Sequence, residues 1–344
     1  MTVRVGIGLF TGQVPADSSR TFAQEYRETL ELVRLAEAAG FDSAWVSEHH
    51  GSSDGYLPSL LPMLAAFAAS TETILLGTGV VLAPFHDPLR LAEDAAVVDQ
   101  LSGGRLLLGL GNGWREEEFR MFGVPRSERA LRTEETIEIL RRAWTGRRFS
   151  FEGRVFRYDR VKVTPPPARP EGIPIYLGGY ADKAVRRAGR LADGYVADAA
   201  RDDAARYVAL AEESARSAGR DPDSLALVMF RNAFVQHEGD AWETVAGGVA
   251  HQIGTYDAWD AGADTPEVDS LTIAPPDRAD LRKVTTAGSP EEVRHGLQEI
   301  LAPFSGRLDL HLLVRLHYPG MDLDTASRAL ELFAATVMPA LKEA

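Results

Sequence analysis

The sequence contains no cysteine among its 344 residues. This absence excludes disulfide bonds, thiolate metal sites and a cysteine nucleophile together. It also removes cysteine pairing as an indicator of the redox compartment. Any chemistry must therefore rest on other groups.

Basic residues are fewer than acidic ones, with 37 Lys and Arg against 50 Asp and Glu and a formal net charge of −13. A protein that binds phosphate backbones needs a basic face, so nucleic acid is a poor candidate partner. Long apolar runs are also missing. The longest, at 57–70, contains prolines and is shorter than the roughly 18 residues of a membrane helix. No leader-like pattern follows Met1, and we expect a cytoplasmic protein without membrane contact.

What the sequence does contain is an ordinary globular composition, 45% hydrophobic and 25% charged. Short apolar segments alternate with helical patterns along it. The predicted strands are 3–10, 42–47, 74–82, 105–110, 173–177, 194–198, 225–236 and 307–316. Eight strand–helix units of this length predict an α/β fold, a (β/α)₈ TIM barrel in one domain over residues 1–344.

Two segments depart from the alternation. A hairpin is predicted at 149–163, after strand four. The segment 237–287, after strand seven, is irregular and acidic and is predicted to be a mobile insertion. Beyond it, the run from Ser289 to Glu292 predicts a helix N-cap with proline at the first helical position.

The active site of such a barrel lies at the carboxyl ends of the strands, where Glu48, His49 and His50 follow strand two. Imidazoles and a carboxylate suit a metal. However, adjacent residues leaving a strand point to opposite faces, so His49 and His50 are poorly placed to share one ion. A structural, hydrogen-bonded role for His49 is also open.

Glycines mark the ends of later strands. Gly111, Gly113, Gly178 and Gly179 let a flat ring or a phosphate approach the backbone, although such pairs also form ordinary tight turns. Gly178 and Gly179 precede a predicted helix, whose free N–H groups favour an anion.

An ordered set of motifs covers nearly the whole chain, and with it the sequence resembles the luciferase-like flavin-dependent monooxygenases. These motifs are Gly40-Phe41-Asp42, Glu48-His49-His50, Gly77-Thr78, Pro88-Leu89-Arg90, Asp99-Gln100-Leu101-Ser102-Gly103-Gly104-Arg105, Phe119-Arg120-Met121-Phe122-Gly123, Pro174-Ile175-Tyr176, Gly288-Ser289-Pro290-Glu291-Glu292 and Val337-Met338-Pro339-Ala340-Leu341-Lys342-Glu343.

The resemblance implies a homodimeric enzyme that binds reduced FMN supplied by a separate flavin reductase. Dioxygen would form a flavin hydroperoxide that oxygenates a small, mostly apolar substrate. His49 matches the family's active-site histidine. Thr78 and Gly79 match the strand end beside the flavin ring, which often carries a non-proline cis peptide.

The resemblance also assigns the phosphate end of the cofactor. Asn112 falls where luciferase has a phosphate-contacting arginine, and Gly179, Tyr180 and Ala181 fall on the phosphate-binding turn that Gly178 opens. Gly111 stands where luciferase has a reactive cysteine. The turn lacks luciferase's acidic and hydroxyl side chains, so backbone amides are expected to hold the phosphate.

The segment 237–287 matches luciferase's active-site lid. Its aromatic residues Trp242, Tyr256 and Trp259 have two open interpretations, capping an apolar substrate or anchoring the segment on the barrel. Three further residues are predicted to line the substrate pocket: Arg231, His317 and Tyr318.

Two alternatives to an FMN monooxygenase remain open. One is a relative that uses a deazaflavin coenzyme for hydride transfer without oxygen, although the charge of −13 disfavours a polyanionic coenzyme. The other is a non-catalytic flavin-binding subunit, which would have no need of His49.

Overall fold

Segments rich in apolar and β-branched residues form the strands of this chain, and amphipathic segments form the helices between them. The computed structural model describes residues 3–199, 203–261 and 278–343. Its strands are β1 (Arg4–Phe10), β2 (Ser43–Val46), β3 (Leu75–Thr78), β4 (Val81–Leu82), β5 (Leu106–Gly111), β6 (Phe149–Glu152), β7 (Arg157–Val161), β8 (Ile175–Gly178), β9 (Gly194–Asp198), β10 (Ala226–Val235), β11 (Thr285–Gly288) and β12 (Leu310–Arg315).

The helices lie mostly between consecutive barrel strands. They are α1 (Phe22–Ala38), α2 (Leu60–Ser70), α3 (Pro88–Ser102), α4 (Glu116–Met121), α5 (Arg129–Ala143), α6 (Asp182–Leu191), α7 (Ala204–Ser217), α8 (Ala241–Asp260), α9 (Arg278–Val284), α10 (Pro290–Leu301), α11 (Leu323–Thr336) and α12 (Met338–Lys342). No helix in these described ranges is both long and apolar enough to cross a membrane.

Eight parallel strands close into a barrel in the order β1, β2, β3, β5, β8, β9, β10, β12, with β12 pairing back to β1. The predicted (β/α)₈ TIM barrel is therefore confirmed. Strand β10 is long enough to pair twice, because its first part lies between β9 and β12 and its last four residues pair with β11.

The apolar core has two parts. Alternate side chains of the barrel strands meet inside the barrel in a set that we call the lumen cluster, and the opposite faces pack against the helices. The lumen cluster comprises Leu9, Trp45, Leu107, Tyr176, Val196, Ala226, Val228 and Leu313, with Leu75 and Phe230 packed against it.

The predicted hairpin, helix cap and third strand all have counterparts in the structure. The hairpin is confirmed as antiparallel β6 and β7. Ser289 caps α10 and forms a reciprocal capping box with Glu292. The predicted third strand, 74–82, is divided into β3 and β4 on either side of a cis peptide bond between Gly79 and Val80.

The prediction of irregular structure across 237–287 is wrong for its first half, which forms the 20-residue helix α8. Its end contributes α9 and β11, and residues 262–277 lie outside the described part of the chain.

Candidate functional site

A histidine and a buried carboxylate meet at the carboxyl end of β2. His49 follows this strand, and its Nδ1 lies 2.9 Å from Oε1 of Glu118 on α4. The same oxygen accepts the backbone N–H of His50 at 3.0 Å, which fixes the loop against α4. Glu118 is fully buried, and its other oxygen, Oε2, has no hydrogen-bond partner among the described residues. The imidazole is therefore held in one orientation by a carboxylate that retains an unused acceptor.

The neighbouring histidine has a different partner. His50 Nε2 lies 2.9 Å from Oε1 of Glu48, and His86 approaches the same oxygen at 3.3 Å. Burial alone would raise the pKa of Glu48, but the hydrogen bonds from both histidines lower it below its ordinary value. His49 and His50 thus bond to two different carboxylates. Two histidines that bind one metal ion would instead point at a common position. Within the described residues, no group of three or more potential ligands is arranged to hold a metal.

Four aromatic side chains surround His49 and form what we call the aromatic cage: Tyr56, Trp114, Tyr256 and Trp259. Their ring centroids lie 4.9, 6.3, 5.4 and 4.8 Å, respectively, from that of His49. The hydroxyl groups of Tyr56 and Tyr256 are 2.8 Å apart and share a hydrogen bond. The cage supplies a low-dielectric setting in which electrostatic interactions with His49 are strong.

Polar contacts hold α8 over this end of the barrel. His251 of α8 lies 2.9 Å from Asp54, a buried residue that also accepts a hydrogen bond from Gln13 at 2.6 Å. At the far end of the helix, the guanidinium of Arg115 lies 4.1 Å from the ring centroid of Trp259. Helix α8 is therefore joined to the loops after β2 and β5.

The aromatic residues of the segment 237–287 are predicted either to cap the site or to anchor the segment on the barrel, and the structure shows both kinds of contact. Tyr256 and Trp259 contact His49 directly, as a cap over the site would. Trp242 is buried at the start of α8 under the guanidinium of Arg282, so it anchors the helix.

The residues predicted to lie beside the flavin ring, Thr78 and Gly79, lie at the end of β3, next to β5. The Thr78 hydroxyl donates to the carbonyl of Gly109 and accepts its N–H, both at 2.8 Å, which joins the two strands. The cis peptide follows, between Gly79 and Val80. A Cβ on Gly111 would lie 2.5 Å from Cγ2 of Val80, so this glycine makes room for the valine.

The predicted phosphate turn joins β8 to α6. Gly178 ends the strand, and Gly179 has φ +149°, a conformation that favours glycine. The hydroxyl of Tyr195 donates to the Gly179 carbonyl at 2.9 Å. Ala181 occupies the N-cap position without a side-chain cap, and Tyr180 is 40% exposed.

These positions suit a bound anionic cofactor. An α-helix that begins without a side-chain cap presents N–H groups to an anion, as the sequence predicts for this turn. Asn112 is half-buried at the end of β5, the strand next to β8, and can add an amide donor there.

Arg231 bonds to the start of β11, and these contacts give its predicted role in the substrate pocket no support. Its Nε donates to Thr286 at 3.1 Å and its Nη1 to the carbonyl of Lys283 at 2.8 Å. Side chains alternate along β10, and Phe230 packs on the lumen cluster. Arg231 therefore points outward, where it stabilises the start of β11.

The two other predicted pocket residues also pack between elements. His317 lies 3.7 Å from Glu25 of α1, and burial lowers its pKa. Tyr318 is fully buried, and its hydroxyl donates to the carbonyls of Ala233 and Arg315 at 3.1 and 3.0 Å. Such contacts are those of core residues and give the predicted pocket role no support.

Sequence patterns do not identify the residues that surround and orient His49. Glu118 stands in a run of three glutamates that is typical of a solvated helix end, and only the fold buries it. Asp54 and Tyr56 lie in an ordinary loop, and Arg115 precedes the acidic run. Packing of α4 against the loop after β2 places Glu118, and α8 contacts Asp54 and Arg115 from above.

Comparisons with known proteins agree with this architecture. The sequence model of the luciferase-like monooxygenases matches residues 3–303. A solved monooxygenase from Streptomyces bottropensis is 28% identical to this chain and superposes with a TM-score of 0.83, over 98% of this chain and 99% of that one.

Two curated relatives carry the name of a deazaflavin coenzyme, F420. The F420-dependent glucose-6-phosphate dehydrogenase of Nakamurella multipartita is 34% identical over 175 residues, which are 49% of this chain and 51% of that protein. The F420-dependent hydroxymycolic acid dehydrogenase of Mycobacterium tuberculosis is 35% identical over 229 residues, or 63% of each protein. The chain thus spans about half the length of the first relative and less than two thirds of the second.

Proposed function

Because the chain belongs to the luciferase-like monooxygenase family, we propose that it is an oxidoreductase of that family that uses the deazaflavin coenzyme F420. The proposed reaction oxidises a small alcohol to a carbonyl compound, or runs in reverse, without oxygen. The sequence alone favours reduced FMN and dioxygen, with deazaflavin as the alternative. The names of the two curated relatives support that alternative instead.

The observation that carries the proposal is the buried His49–Glu118 pair inside the aromatic cage. When Glu118 accepts the proton on Nδ1, the neutral imidazole has its lone pair on Nε2. Nε2 can then accept the proton of a substrate hydroxyl while the carbinol carbon gives up its hydrogen with two electrons. His49 is the general base of this scheme, and Glu118 orients it and stabilises the charge it gains.

When bound, the coenzyme supplies a two-electron acceptor at a carbon atom rather than an oxygen-reactive flavin. The residues proposed to hold it are the strand-end backbone at Gly79 and Val80, the turn from Gly179 to Ala181 before α6, and Asn112. The cage would exclude water from the reacting atoms, which protects hydride transfer from competing proton exchange.

The second candidate is the FMN-dependent monooxygenase that the sequence predicts, with a separate flavin reductase as partner. The solved monooxygenase, 28% identical with a TM-score of 0.83, favours it. In this scheme His49 would provide or remove the proton that oxygen transfer requires.

Coenzyme binding separates the two candidates. The purified protein is titrated with F420 and, under argon, with reduced FMN, and binding is followed by coenzyme fluorescence or calorimetry. We expect F420 to bind with at least about tenfold higher affinity, a difference of about 1.4 kcal/mol. Tight binding of reduced FMN with no measurable affinity for F420 would overturn the proposal in favour of the monooxygenase.

A further inference from the structure

The uppermost layer of the barrel lumen contains a buried arginine. On β12, Leu313 belongs to the lumen cluster, and on β10, Phe230 packs against it. Side chains alternate along a strand, so Arg315 and Asn232, two residues further on, also face the lumen. Arg315 ends β12, and Asn232 is its partner in the register of β10, so both lie towards the end of the barrel at which TIM barrels bind substrates.

Arg315 has few partners for a buried cation. It is 7% exposed, its Nε donates to the carbonyl of Leu9 at 3.1 Å, and its Nη1 reaches Oδ1 of Asn232 at 3.4 Å. No carboxylate pairs with it among the described residues. A buried charge without a counter-ion is costly, so this guanidinium retains the capacity to pair with an anion. Asn232 is only half-buried, which leaves the pair open towards the mouth of the barrel.

The positive charge of Arg315 acts on two tyrosines of the aromatic cage. Burial raises the pKa of both Tyr56 and Tyr256, and the positive charge of Arg315 opposes that effect at both hydroxyls. The same two tyrosine rings contact His49, so the charge of Arg315 and the imidazole of His49 act on the same pair of side chains.

The barrel order separates this region from the proposed coenzyme site. The strand ends assigned to the coenzyme are those of β3, β5 and β8. Strand β12 lies four positions from β5 in the ring of eight, on the opposite side, with β1 and β2 between β12 and β3. Arg315 and His49 therefore share the half of the barrel that is left to the substrate.

We propose that Arg315, supported by Asn232, binds an oxyanion of the substrate, so that the substrate is an alcohol bearing a carboxylate or a phosphate. This inference rests on the proposed function, since it takes His49 as the base and the β3–β8 side as the coenzyme site. Arg315 acts as a positioning residue: it holds the anionic end of the substrate while the hydroxyl meets His49. The proposed substrate differs in this respect from the mostly apolar one that the family resemblance implies.

The first test compares paired substrates on the F420-loaded protein. A panel of hydroxy acids and sugar phosphates is assayed beside the methyl esters and free sugars that lack the charge. We expect the anionic member of an accepted pair to react with the lower KM. Arg315→Gln should raise that KM by about tenfold or more with little change in kcat, and remove the preference. Equal KM values for both members in the wild type, or an equal effect of Arg315→Gln on both, would overturn the inference.

The second test does not need the coenzyme. Inorganic phosphate and acetate are titrated calorimetrically into wild type, Arg315→Gln, Arg315→Lys and the control Arg231→Gln, which removes an equally buried arginine that points out of the barrel. We expect one of the anions to bind wild type and Arg231→Gln alike, Arg315→Lys more weakly and Arg315→Gln at least about tenfold more weakly. The anion that binds more tightly indicates whether the anionic group of the substrate is a phosphate or a carboxylate.

Undiminished anion binding by a folded Arg315→Gln protein would contradict the inference whatever coenzyme the protein uses. Conversely, the protein could bind an anion through Arg315 and have no affinity for F420. That result would support the anion site and contradict only the proposed function.

Discussion

Two adjacent histidines in this chain lie in different surroundings because each bonds to a different carboxylate. His49 pairs with Glu118 inside the aromatic cage, whereas His50 and His86 both reach Glu48. The strand-end position and the family motif were enough to single out His49. Neither could identify Glu118, since a glutamate in an acidic run acquires its role only when α4 packs against the β2 loop.

Replacing Glu118 tests that role. Glu118→Gln keeps an acceptor for the His50 N–H but removes the charge that stabilises a protonated His49. We expect kcat to fall about tenfold to a hundredfold while coenzyme affinity stays within about twofold. Rates are measured by stopped-flow coenzyme reduction. The control is Glu116→Gln, an exposed glutamate on the same helix. Equal rates in wild type and Glu118→Gln would show that the contact between His49 and Glu118 is structural only.

At the scale of elements, α8 is the part that the sequence failed to predict. Gly247 and Gly248 stand in its middle, and each costs a helix roughly 1 kcal/mol relative to alanine. The structure explains the second glycine, because a Cβ on Gly248 would lie 2.6 Å from Cβ of Tyr318. Close packing against the chain after β12 therefore stabilises α8 despite the low helix propensity of its two glycines. Helix propensity can be read from the sequence, but this packing cannot.

The contact between Asp54 and His251 should control how firmly α8 is held. Burial tends to raise the pKa of Asp54, but hydrogen bonds from His251 and two other side chains lower it below the ordinary value. Asp54→Asn removes the charge, and we expect amide hydrogen exchange across α8 to accelerate roughly tenfold, with exchange in α5 unchanged. Asp257→Asn, at an exposed position of α8, is the control. Unaltered exchange in α8 would show that the aromatic contacts alone hold the helix.

At the scale of the whole molecule, the barrel follows from repetition that was visible in the sequence, because eight strand–helix units of this length have few other ways to close. The polar groups inside the lumen could not be anticipated. His311 of β12 is fully enclosed, with Nε2 at 2.8 Å from the hydroxyl of Ser43, and burial lowers its pKa to about 3. It is neutral in the folded protein at physiological pH.

This histidine gives global stability a defined pH dependence. Its pKa is about 3 when folded and 6.5 when unfolded, so between these values the unfolded chain binds the extra proton. Stability therefore falls as pH falls below 6.5, by up to about 1.4 kcal/mol per pH unit from this group. His311→Gln should show a shallower decline between pH 6.5 and about pH 5 in urea unfolding. The exposed His295→Gln should match the wild-type slope; identical slopes in all three would refute the assignment.

The most direct test of the account is a single-turnover reaction of the F420-loaded protein under argon with the panel of anionic alcohols. The loss of the coenzyme's visible absorbance is followed in wild type, His49→Ala and the surface control His295→Ala. We expect coenzyme reduction by wild type and His295→Ala, and a rate lower by roughly 10²–10⁴-fold in His49→Ala with F420 still bound. Equal rates in wild type and His49→Ala, or turnover that requires FMN and dioxygen, would contradict it.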